Sequence, residues 1–364
     1  MDYILHIIAG LKIGGMEKVA RDIGLYADKN YTNHYVVFGE EVGQYEEQLK
    51  NIGCKIFHID SPAKNYAAYL KNLKFLMSEY PYTTVHAHTM FNIGWIMLAA
   101  KLNHIPVRVS HAHSALTTGK SLKKSVYEFV MRGLIISCST DLVACGNKAG
   151  ERLYGKAYAK RGQLILNGID TAAFQFSEEK RTLLREQLGF QDKFIIGHTG
   201  HLADVKNQSF LIEMMPELLK KREDAVLLLL GEGEDRPMLE EKIRTLGLQD
   251  KVIMTGNVNN VPEYLCAMDV FAFPSLYEGM PLSILEVQAN GLPCVISDRV
   301  PKDVFLTDLI HPLPLEDPKA WIDMICMVKR ENSEVYSNRM KVAGFDVKTA
   351  VEKFYKIYEK GIGS

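Results

Sequence analysis

Short apolar runs alternate with helix-periodic segments along the whole chain, and this alternation restricts the fold more than any other feature. Strand-like runs are predicted over residues 3–8, 35–38, 55–59, 84–87, 107–110, 142–144, 194–198, 225–230, 252–255, 270–273 and 294–297. Helical patterns are predicted between them, for example over residues 17–28, 66–79, 93–102, 208–221 and 238–246. Such alternation is typical of βαβ units, in which helices cover parallel strands. The sequence therefore predicts an α/β fold.

The chain is long enough to form two domains, because its 364 residues exceed what one hydrophobic core usually organises. A turn-forming cluster, Asn167 to Asp170, is followed by a charged stretch from Glu178 to Glu186, and the boundary is predicted there. Residues 347–358 have the apolar pattern of an amphipathic helix. We predict two Rossmann-like domains, residues 1–170 and 171–345, and a final segment, 346–364, containing that helix.

Two glutamates, Glu278 and Glu286, stand eight positions apart across a predicted strand–loop–helix junction. The apolar run 270–273 is followed by a loop, and Pro281 is suited to the first position of the next helix. This arrangement places Glu278 at the carboxyl end of a strand and Glu286 about two turns along the helix. The N–H groups at the start of that helix attract anions. Chance spacing of two surface glutamates is the alternative reading.

Two further strand–helix turns carry residues suited to a phosphate. Gly14 and Gly15, within the segment Leu11 to Lys18, open the first predicted helix, although any tight turn can use glycine. Lys206 opens the first helix of the second half and could neutralise a diphosphate, as could His201 when charged. An exposed lysine at a helix start is the alternative reading of Lys206.

Two His-Ala-His tripeptides, residues 86–88 and 111–113, close the fourth and fifth predicted strands. Alternation along an extended chain puts both histidines of each tripeptide on one side. Zinc binding is therefore a hypothesis, but it is not favoured, because no Asp, Glu or Cys ligand accompanies them at a telling spacing. No metal site and no cofactor are predicted.

Composition favours a chain that folds in a reducing compartment. The six cysteines show no Cys-x-x-Cys pair, and no apolar stretch reaches the length of a membrane span. Residues 1–170 carry more Lys and Arg than Asp and Glu, and Lys120, Lys123, Lys124 and Arg132 surround a patterned segment, 122–136. A cytoplasmic location is predicted. Peripheral contact with the inner face of the membrane and a plain solvated helix remain alternatives.

The segment from Phe273 to Asp298 resembles the EX7E motif of the retaining glycosyltransferases of family 4, in particular bacterial capsular and exopolysaccharide enzymes. The resemblance implies the GT-B fold, with two Rossmann-like domains facing a central cleft and a C-terminal helix that crosses back to the N-terminal domain. It also implies an acceptor-binding first domain and a nucleotide-sugar-binding second domain. Nucleic acid is not an expected partner.

The resemblance implies a role for each candidate residue. Glu278 would contact hydroxyls of the donor sugar, Glu286 the ribose, and Gly14 and Gly15 the donor diphosphate. The family usually has arginine where this chain has His201, followed by the lysine matched by Lys206. His113 would position donor and acceptor, with His88 and His111 on the acceptor side. The remaining donor-binding candidates are Asn257 and Val258, at the nucleotide base, and Gly279, Met280, Pro281, Leu282 and Ser283.

The expected activity is retaining transfer of a hexosyl unit from a UDP-sugar to a glycan or lipid-linked acceptor in capsular or exopolysaccharide synthesis. On this scheme no metal is required, because lysine and helix dipoles stabilise the leaving diphosphate. The alternatives are a nucleotide-sugar epimerase of the same fold and a catalytically silent sugar-nucleotide-binding partner subunit. An NAD-dependent dehydrogenase is disfavoured because the glycine fingerprint is missing.

Overall fold

The computed structural model describes residues 2–12, 14–114, 121–330 and 333–361. Ile13 and Lys120, which belong to segments singled out above, lie outside this part of the chain. The described residues form two compact units. The first comprises residues 1–168 together with 347–364, and the second comprises residues 169–346. The charged stretch 178–186, which follows the boundary predicted between residues 170 and 171, lies in a helix inside the second unit.

The first unit is built on a parallel sheet. Its strands are β1 (Asp2–Ile7), β2 (Tyr31–Phe38), β3 (Lys55–Ile59), β4 (Tyr82–Ala87), β5 (Val107–Ala112), β6 (Asp141–Ala144) and β7 (Gly162–Leu164). In the described residues their order is β3-β2-β1-β4-β5-β6-β7, with every pairing parallel. The chain reverses its direction of progress between β1 and β4. Neighbouring loops diverge at that point, which is where open α/β sheets bind ligands.

Helices cover both faces of this sheet. They are α1 (Gly15–Leu25), α2 (Glu46–Asn51), α3 (Tyr66–Glu79), α4 (Ile93–Leu102), α5 (Leu122–Cys138), α6 (Asn147–Tyr154) and α7 (Tyr158–Arg161). Apolar side chains from β1, β4 and α3 to α6 form one core. A second core lies on the opposite face, between β1, β5, β6, α1 and the C-terminal helix of the chain. The strands are therefore buried on both sides, as parallel strands usually are.

The second unit repeats this architecture with a shorter sheet. Its strands are β8 (Phe194–Thr199), β9 (Ala225–Leu230), β10 (Val252–Gly256), β11 (Val270–Phe273), β12 (Cys294–Ser297) and β13 (Ile310–Leu313). The described strands lie in the order β10-β9-β8-β11-β12-β13, all parallel. The reversal here falls between β8 and β11. Its helices are α8 (Glu178–Leu188), α9 (Gln208–Lys221), α10 (Arg236–Thr245), α11 (Val261–Ala267), α12 (Leu282–Ala289), α13 (Pro318–Met327) and α14 (Ser333–Val342).

The last helix, α15 (Val347–Tyr358), belongs to the first unit although it follows the second in sequence. It buries Val347, Val351 and Phe354 in the core that lies over β1, β5 and β6. The Tyr355 hydroxyl accepts a hydrogen bond from Asn33 Nδ2 at 3.0 Å, and the Tyr358 hydroxyl lies 2.7 Å from His86 Nδ1. The predicted return of the C-terminal helix to the N-terminal domain is thus confirmed, as are the two parallel-sheet domains.

Candidate active site

An ion pair between two adjacent loops marks the centre of the candidate site in the second unit. Lys206 Nζ lies 2.6 Å from Glu278 Oε1, and the two side chains are only 20% and 10% exposed. Lys206 follows β8 and Glu278 follows β11, the two strands on either side of the sheet's reversal point. The sheet order therefore brings together two residues that are 72 positions apart in the sequence.

Backbone and ring contacts fix these two loops against each other. Leu276 N donates to Val205 O at 2.9 Å, and Asn207 Nδ2 donates to Pro274 O at 3.3 Å. Asn207 adopts a left-handed conformation, with φ of 55°, which Asn tolerates better than most residues. The Lys206 ammonium also lies 5.2 Å from the centroid of the Phe273 ring, within cation–π range. The lysine is thus held in position from two sides.

The helix α12 begins later than the sequence suggested. Pro281 is its N-cap rather than its first helical residue, so the prediction for Pro281 was wrong. Because the helix begins at Leu282, Glu286 lies about one turn along it instead of two. No side chain of the described residues caps the first turn, so the N–H groups of this turn are suited to an anion. Gly279 and Met280 precede this turn, Ser283 is its second residue, and Glu286 is partly buried.

His201 is exposed and engaged with an acidic neighbour. Its Nε2 lies 2.7 Å from Glu234 Oε2, and both side chains are more than half exposed. The pKa of Glu234 is lowered by a backbone hydrogen bond and by the one with His201. A carboxylate beside His201 opposes the approach of a phosphate unless the pair separates. His201 is therefore near Lys206 in the sequence, but its side chain is paired with the carboxylate of Glu234.

A buried histidine, which sequence analysis did not identify, is linked by hydrogen bonds to the loop that carries Lys206. His198, in β8, lies 2.9 Å by Nδ1 from Ala272 O and 3.3 Å by Nε2 from Gln208 Nε2. Gln208 in turn donates to His201 O at 2.9 Å. Burial lowers the pKa of His198 to about 4, so the ring is neutral at pH 7 and each ring nitrogen has a fixed role. A histidine inside an otherwise apolar buried strand was the signal available in the sequence.

Glycines allow the β8 and β9 loops to approach closely. A side chain at Gly231, whose φ is 136°, would place its Cβ 2.0 Å from Gly200 O, and one at Gly233 would lie 2.2 Å from Leu202 O. Gly231 N also donates to Gly256 O at 2.9 Å. Asn257 and Val258, directly after β10, are exposed and half-buried respectively. They therefore lie at the same edge of the sheet as Lys206 and Glu278.

The remaining predicted residues belong to the first unit. Gly14 is the N-cap of α1 in an extended conformation, and Gly15 is its first residue. His88, His111 and His113 lie at the carboxyl ends of β4 and β5, and His88 Nδ1 is 2.8 Å from His113 Nε2. His6, which sequence analysis did not single out, lies beside them because β1 and β4 pair. Together with His86, these histidines form two groups, found among the described residues, that could hold a metal ion.

Models of known protein families match both halves of the chain. Residues 13–173 match the model of the family described as Glycosyltransferase Family 4, and residues 193–329 match that described as Glycosyl transferases group 1. The chain is 31% identical to the putative glycosyltransferase EpsF of Bacillus subtilis (strain 168), over 98% of this chain and 96% of that protein.

Two further relatives also align along their full length. The chain is 28% identical to the UDP-Gal:alpha-D-GlcNAc-diphosphoundecaprenol alpha-1,3-galactosyltransferase of Escherichia coli, over 98% of this chain and 96% of the relative. It is 23% identical to the capsular polysaccharide biosynthesis glycosyltransferase CapH of Staphylococcus aureus, over 98% of each. Among solved structures, Anabaena Alr3699/HepE in complex with UDP matches with a TM-score of 0.77 and 21% identity, over 98% of this chain and 99% of that one, which shows the shared fold.

The chain belongs to glycosyltransferase family 4 and has the GT-B fold. It is a glycosyltransferase that uses a nucleotide sugar. Among the helices of the described residues, none combines the length and the hydropathy that crossing a membrane requires.

Proposed function

We propose that the protein transfers a hexosyl unit, with retention, from a UDP-hexose to a glycan or lipid-linked acceptor in capsular or exopolysaccharide synthesis. The observation that carries this proposal is the Lys206–Glu278 ion pair at the reversal point of the second sheet. The pair supplies one cation for a diphosphate and one carboxylate for sugar hydroxyls within a single small site. Relatives whose names specify UDP-galactose, a diphosphoundecaprenol acceptor and capsular polysaccharide support the substrate classes.

Each donor-side residue of the second unit has a part in this scheme. Without donor, Lys206 and Glu278 neutralise each other. With donor bound, the ammonium turns to the diphosphate and the Glu278 carboxylate accepts hydrogen bonds from sugar hydroxyls. Glu286 accepts from the ribose, and the N–H groups at the start of α12 bind the diphosphate oxygens. Asn257 and Val258 border the base.

The chemistry follows from this placement. The bond between the anomeric carbon and the diphosphate oxygen breaks, and the acceptor oxygen bonds to the same carbon from the same face. The acceptor proton passes to the departing diphosphate, so UDP leaves and no other reactant is consumed. Charge accumulates on the diphosphate as the bond breaks, and Lys206 stabilises that charge more in the transition state than in the ground state. We therefore propose transfer without a metal ion at the diphosphate.

The first unit is proposed to supply the acceptor side. His113 orients the reacting groups, with His88 and His111 on the acceptor side, whereas Gly14 and Gly15 are proposed to present backbone N–H groups to the donor diphosphate. A cavity of about 420 Å³ follows β4 and β5, and its lining includes Met90, Phe91, Ser114, Tyr127 and Arg152. A partly apolar cavity suits the lipid or sugar part of an acceptor. Arg152 is paired with Glu128 of the same lining, at 2.7 Å, so its guanidinium would bind an acceptor phosphate only by leaving that carboxylate.

An exposed apolar face on α5 supports peripheral contact with a membrane. Leu122, Val126 and Phe129 are 83%, 55% and 75% exposed, and their spacing puts them on one side of the helix. Lys123 is also exposed there. A helix with exposed apolar residues and adjacent lysines is suited to lie in the interface of an anionic bilayer. Such contact would bring the enzyme to a lipid-linked acceptor.

The test is release of UDP from a panel of UDP-hexoses, with and without a lipid-linked acceptor extract and with EDTA present. We expect one UDP-hexose to give acceptor-dependent release, and Glu278→Gln to abolish it. Glu217→Gln is the matched control, because Glu217 is an exposed glutamate of the same unit that pairs with Lys220. The stereochemistry of the product, read from the anomeric proton by NMR, tests retention.

Other outcomes identify the alternatives. Conversion of one UDP-hexose to its epimer, without acceptor and without UDP release, would indicate the epimerase. Tight UDP binding with no turnover of any donor would indicate a silent partner subunit. Activity that EDTA removes and Mg²⁺ restores would contradict the metal-independent scheme but not the proposed hexosyl transfer.

A further inference from the structure

The carboxyl edge of the first sheet gathers five histidines, His6, His86, His88, His111 and His113. His6 and His86 are direct neighbours across the parallel β1–β4 pair, and His88 follows His86 on the same side of the chain. His6, His86, His88 and His111 are each at most 1% exposed. Buried imidazoles normally satisfy both nitrogens, because an unpaired buried polar group costs about 1–3 kcal/mol. Several of these nitrogens, however, have no partner among the described residues.

A chain of hydrogen bonds fixes the tautomer of His6. The Tyr355 hydroxyl donates to Ile23 O at 3.2 Å and accepts from Asn33 Nδ2 at 3.0 Å. Asn33 Oδ1 must then accept from His6 Nε2, which lies 2.9 Å away. The proton of His6 is therefore on Nε2, and Nδ1 carries a lone pair. This nitrogen is buried and has no hydrogen-bond partner in the described part of the chain.

His86 and His88 are held in the same way by one nitrogen each. His86 Nδ1 lies 2.7 Å from the Tyr358 hydroxyl, and His88 Nδ1 lies 2.8 Å from His113 Nε2. If each Nδ1 carries the proton, the Tyr358 oxygen and His113 Nε2 accept, and Nε2 of both histidines has a lone pair. His88 Nε2 is buried without a partner within the described residues, whereas His86 Nε2 lies 3.2 Å from His111 Nδ1.

We propose that His6, His86 and His88 bind one divalent transition-metal ion of the zinc type. One ring nitrogen from each of the three lies within 4.8 Å of those from the other two. Imidazole is a preferred ligand of Zn²⁺, and three histidines leave a fourth tetrahedral position open. With His6 Nδ1, His86 Nε2 and His88 Nε2 as the proposed ligand atoms, each ring keeps the hydrogen bond of its other nitrogen, to Asn33, Tyr358 or His113. Such bonds usually orient metal-bound histidines. Only the contact between His86 and His111 is given up.

Burial keeps these ligands in the form that binds metal. The pKa of His6 is lowered to about 4, and the pKa values of His86 and His88 are lowered well below the usual range. The rings are therefore neutral at pH 7, and no proton has to leave before a metal binds.

A second histidine triad is formed by His88, His111 and His113, and one ring nitrogen from each again lies within 4.8 Å of the other two. Its hydrogen bonds are less compatible with a metal ion. The unpartnered nitrogens of His88 and His113 are Nε2 and Nδ1. A metal on both would leave His88 Nδ1–H and His113 Nε2–H facing each other across 2.8 Å, two donors without an acceptor. The triad that includes His6 avoids this conflict, because its supporting groups all accept.

The proposed metal site lies outside the donor chemistry of the second unit and does not rest on the proposed function. The test uses the full chain without an affinity tag, dialysed against buffered Zn²⁺ and measured by elemental analysis. We expect one Zn²⁺ for each chain, and a visible absorption spectrum typical of tetrahedral coordination when Co²⁺ replaces it. His6→Gln and His88→Gln should lose the ion. His104→Asn is the matched control, because His104 is exposed and its φ of 56° suits Asn.

Variants of Asn33 keep the test decisive if the histidine variants fail to fold. Asn33→Asp should raise the affinity for Zn²⁺, because a carboxylate makes His6 a stronger ligand, whereas Asn33→Leu should lower it about 10–100-fold. Circular dichroism establishes that each variant is folded. The absence of stoichiometric Zn²⁺ in the folded wild-type chain would overturn the proposal. So would equal binding by wild type, His6→Gln and His88→Gln, or an affinity unchanged in both folded Asn33 variants.

Discussion

Lys206 Nζ and Glu278 Oε1 lie 2.6 Å apart, joining the loop after β8 to the loop after β11. Both side chains are largely buried, so neither charge is well solvated and each is compensated by the other. A ligand that offers an anion to the lysine and hydroxyl groups to the glutamate can replace this pair without leaving either charge uncompensated. We therefore propose that the ion pair favours a ligand with both groups, such as a sugar diphosphate.

Lys206→Met tests the electrostatic part of this site. The variant keeps most of the apolar stem but removes the charge that stabilises the leaving diphosphate, so kcat should fall about 100-fold or more. A smaller effect on KM is expected if the charge acts mainly in the transition state. The control is Lys220→Met, since Lys220 is an exposed lysine on α9 paired with Glu217. Equal losses in both variants would argue against a role for Lys206.

His201→Arg tests the departure from the family pattern. Arginine carries a permanent charge and can bind two phosphate oxygens at once, so the KM for the donor should fall by up to about tenfold, equivalent to about 1.4 kcal/mol. Glu234→Gln in the same background should lower KM further, because the carboxylate that now pairs with residue 201 would be removed. Steady-state kinetics with varied donor measures both. A KM unaffected by His201→Arg would place this side chain outside the donor site.

His198 makes the stability of the second unit depend on pH. The pKa of His198 is about 4 in the folded state and about 6.5 in the unfolded chain, so the unfolded chain binds more protons between these values. Stability should therefore fall as pH decreases from about 6.5 to 4, by about 3 kcal/mol over the window. His198→Gln, which can keep both hydrogen bonds, should show a smaller dependence. Denaturant unfolding at pH 7 and pH 5 measures it, and identical pH dependence in the two proteins would contradict the assignment.

Gly231→Ala tests the close approach of the β8 and β9 loops. The added Cβ would lie 2.0 Å from Gly200 O, in addition to the cost of a φ of 136°. We expect a loss of at least about 2 kcal/mol in the free energy of unfolding. Gly189→Ala is the control, because its φ of 70° is also positive but its Cβ meets nothing within 4 Å. That variant should lose about 1 kcal/mol. Similar losses in both would show that backbone conformation alone matters.

Phe129→Glu tests the exposed face of α5. The substitution puts a charge on the apolar side of the helix, so sedimentation with vesicles rich in anionic lipid should decrease several-fold. Exposure of Phe129 is 75%, so the melting temperature should hardly change. Phe75→Glu is the matched control, since Phe75 is 60% exposed on α3, another helix of the same unit. Equal vesicle binding by the wild-type protein and both variants would contradict the proposed membrane contact of α5.

Local sequence patterns predicted much of the secondary structure. The helices α3, α4, α9 and α15 begin and end at the predicted residues, because each has a continuous apolar stripe and a clear terminal signal. The strands β7 and β13 were missed. β7 has three residues, and β13 contains Pro312, which is tolerated there because β13 lies at the edge of its sheet. Short edge strands bury little apolar surface, so they leave little periodic signal.

The sequence by itself determined the α/β class, the two-domain architecture and the family, because periodicity and the strand–loop–helix motif around Glu278 are local properties. Only the tertiary structure decided which loops meet. The order of strands in each sheet places β8 beside β11 and β1 beside β4, and so brings Lys206 to Glu278 and His6 to His86. That order is set by packing and hydrogen bonding between strands that are far apart in the chain, so it cannot be read from any short stretch of the sequence.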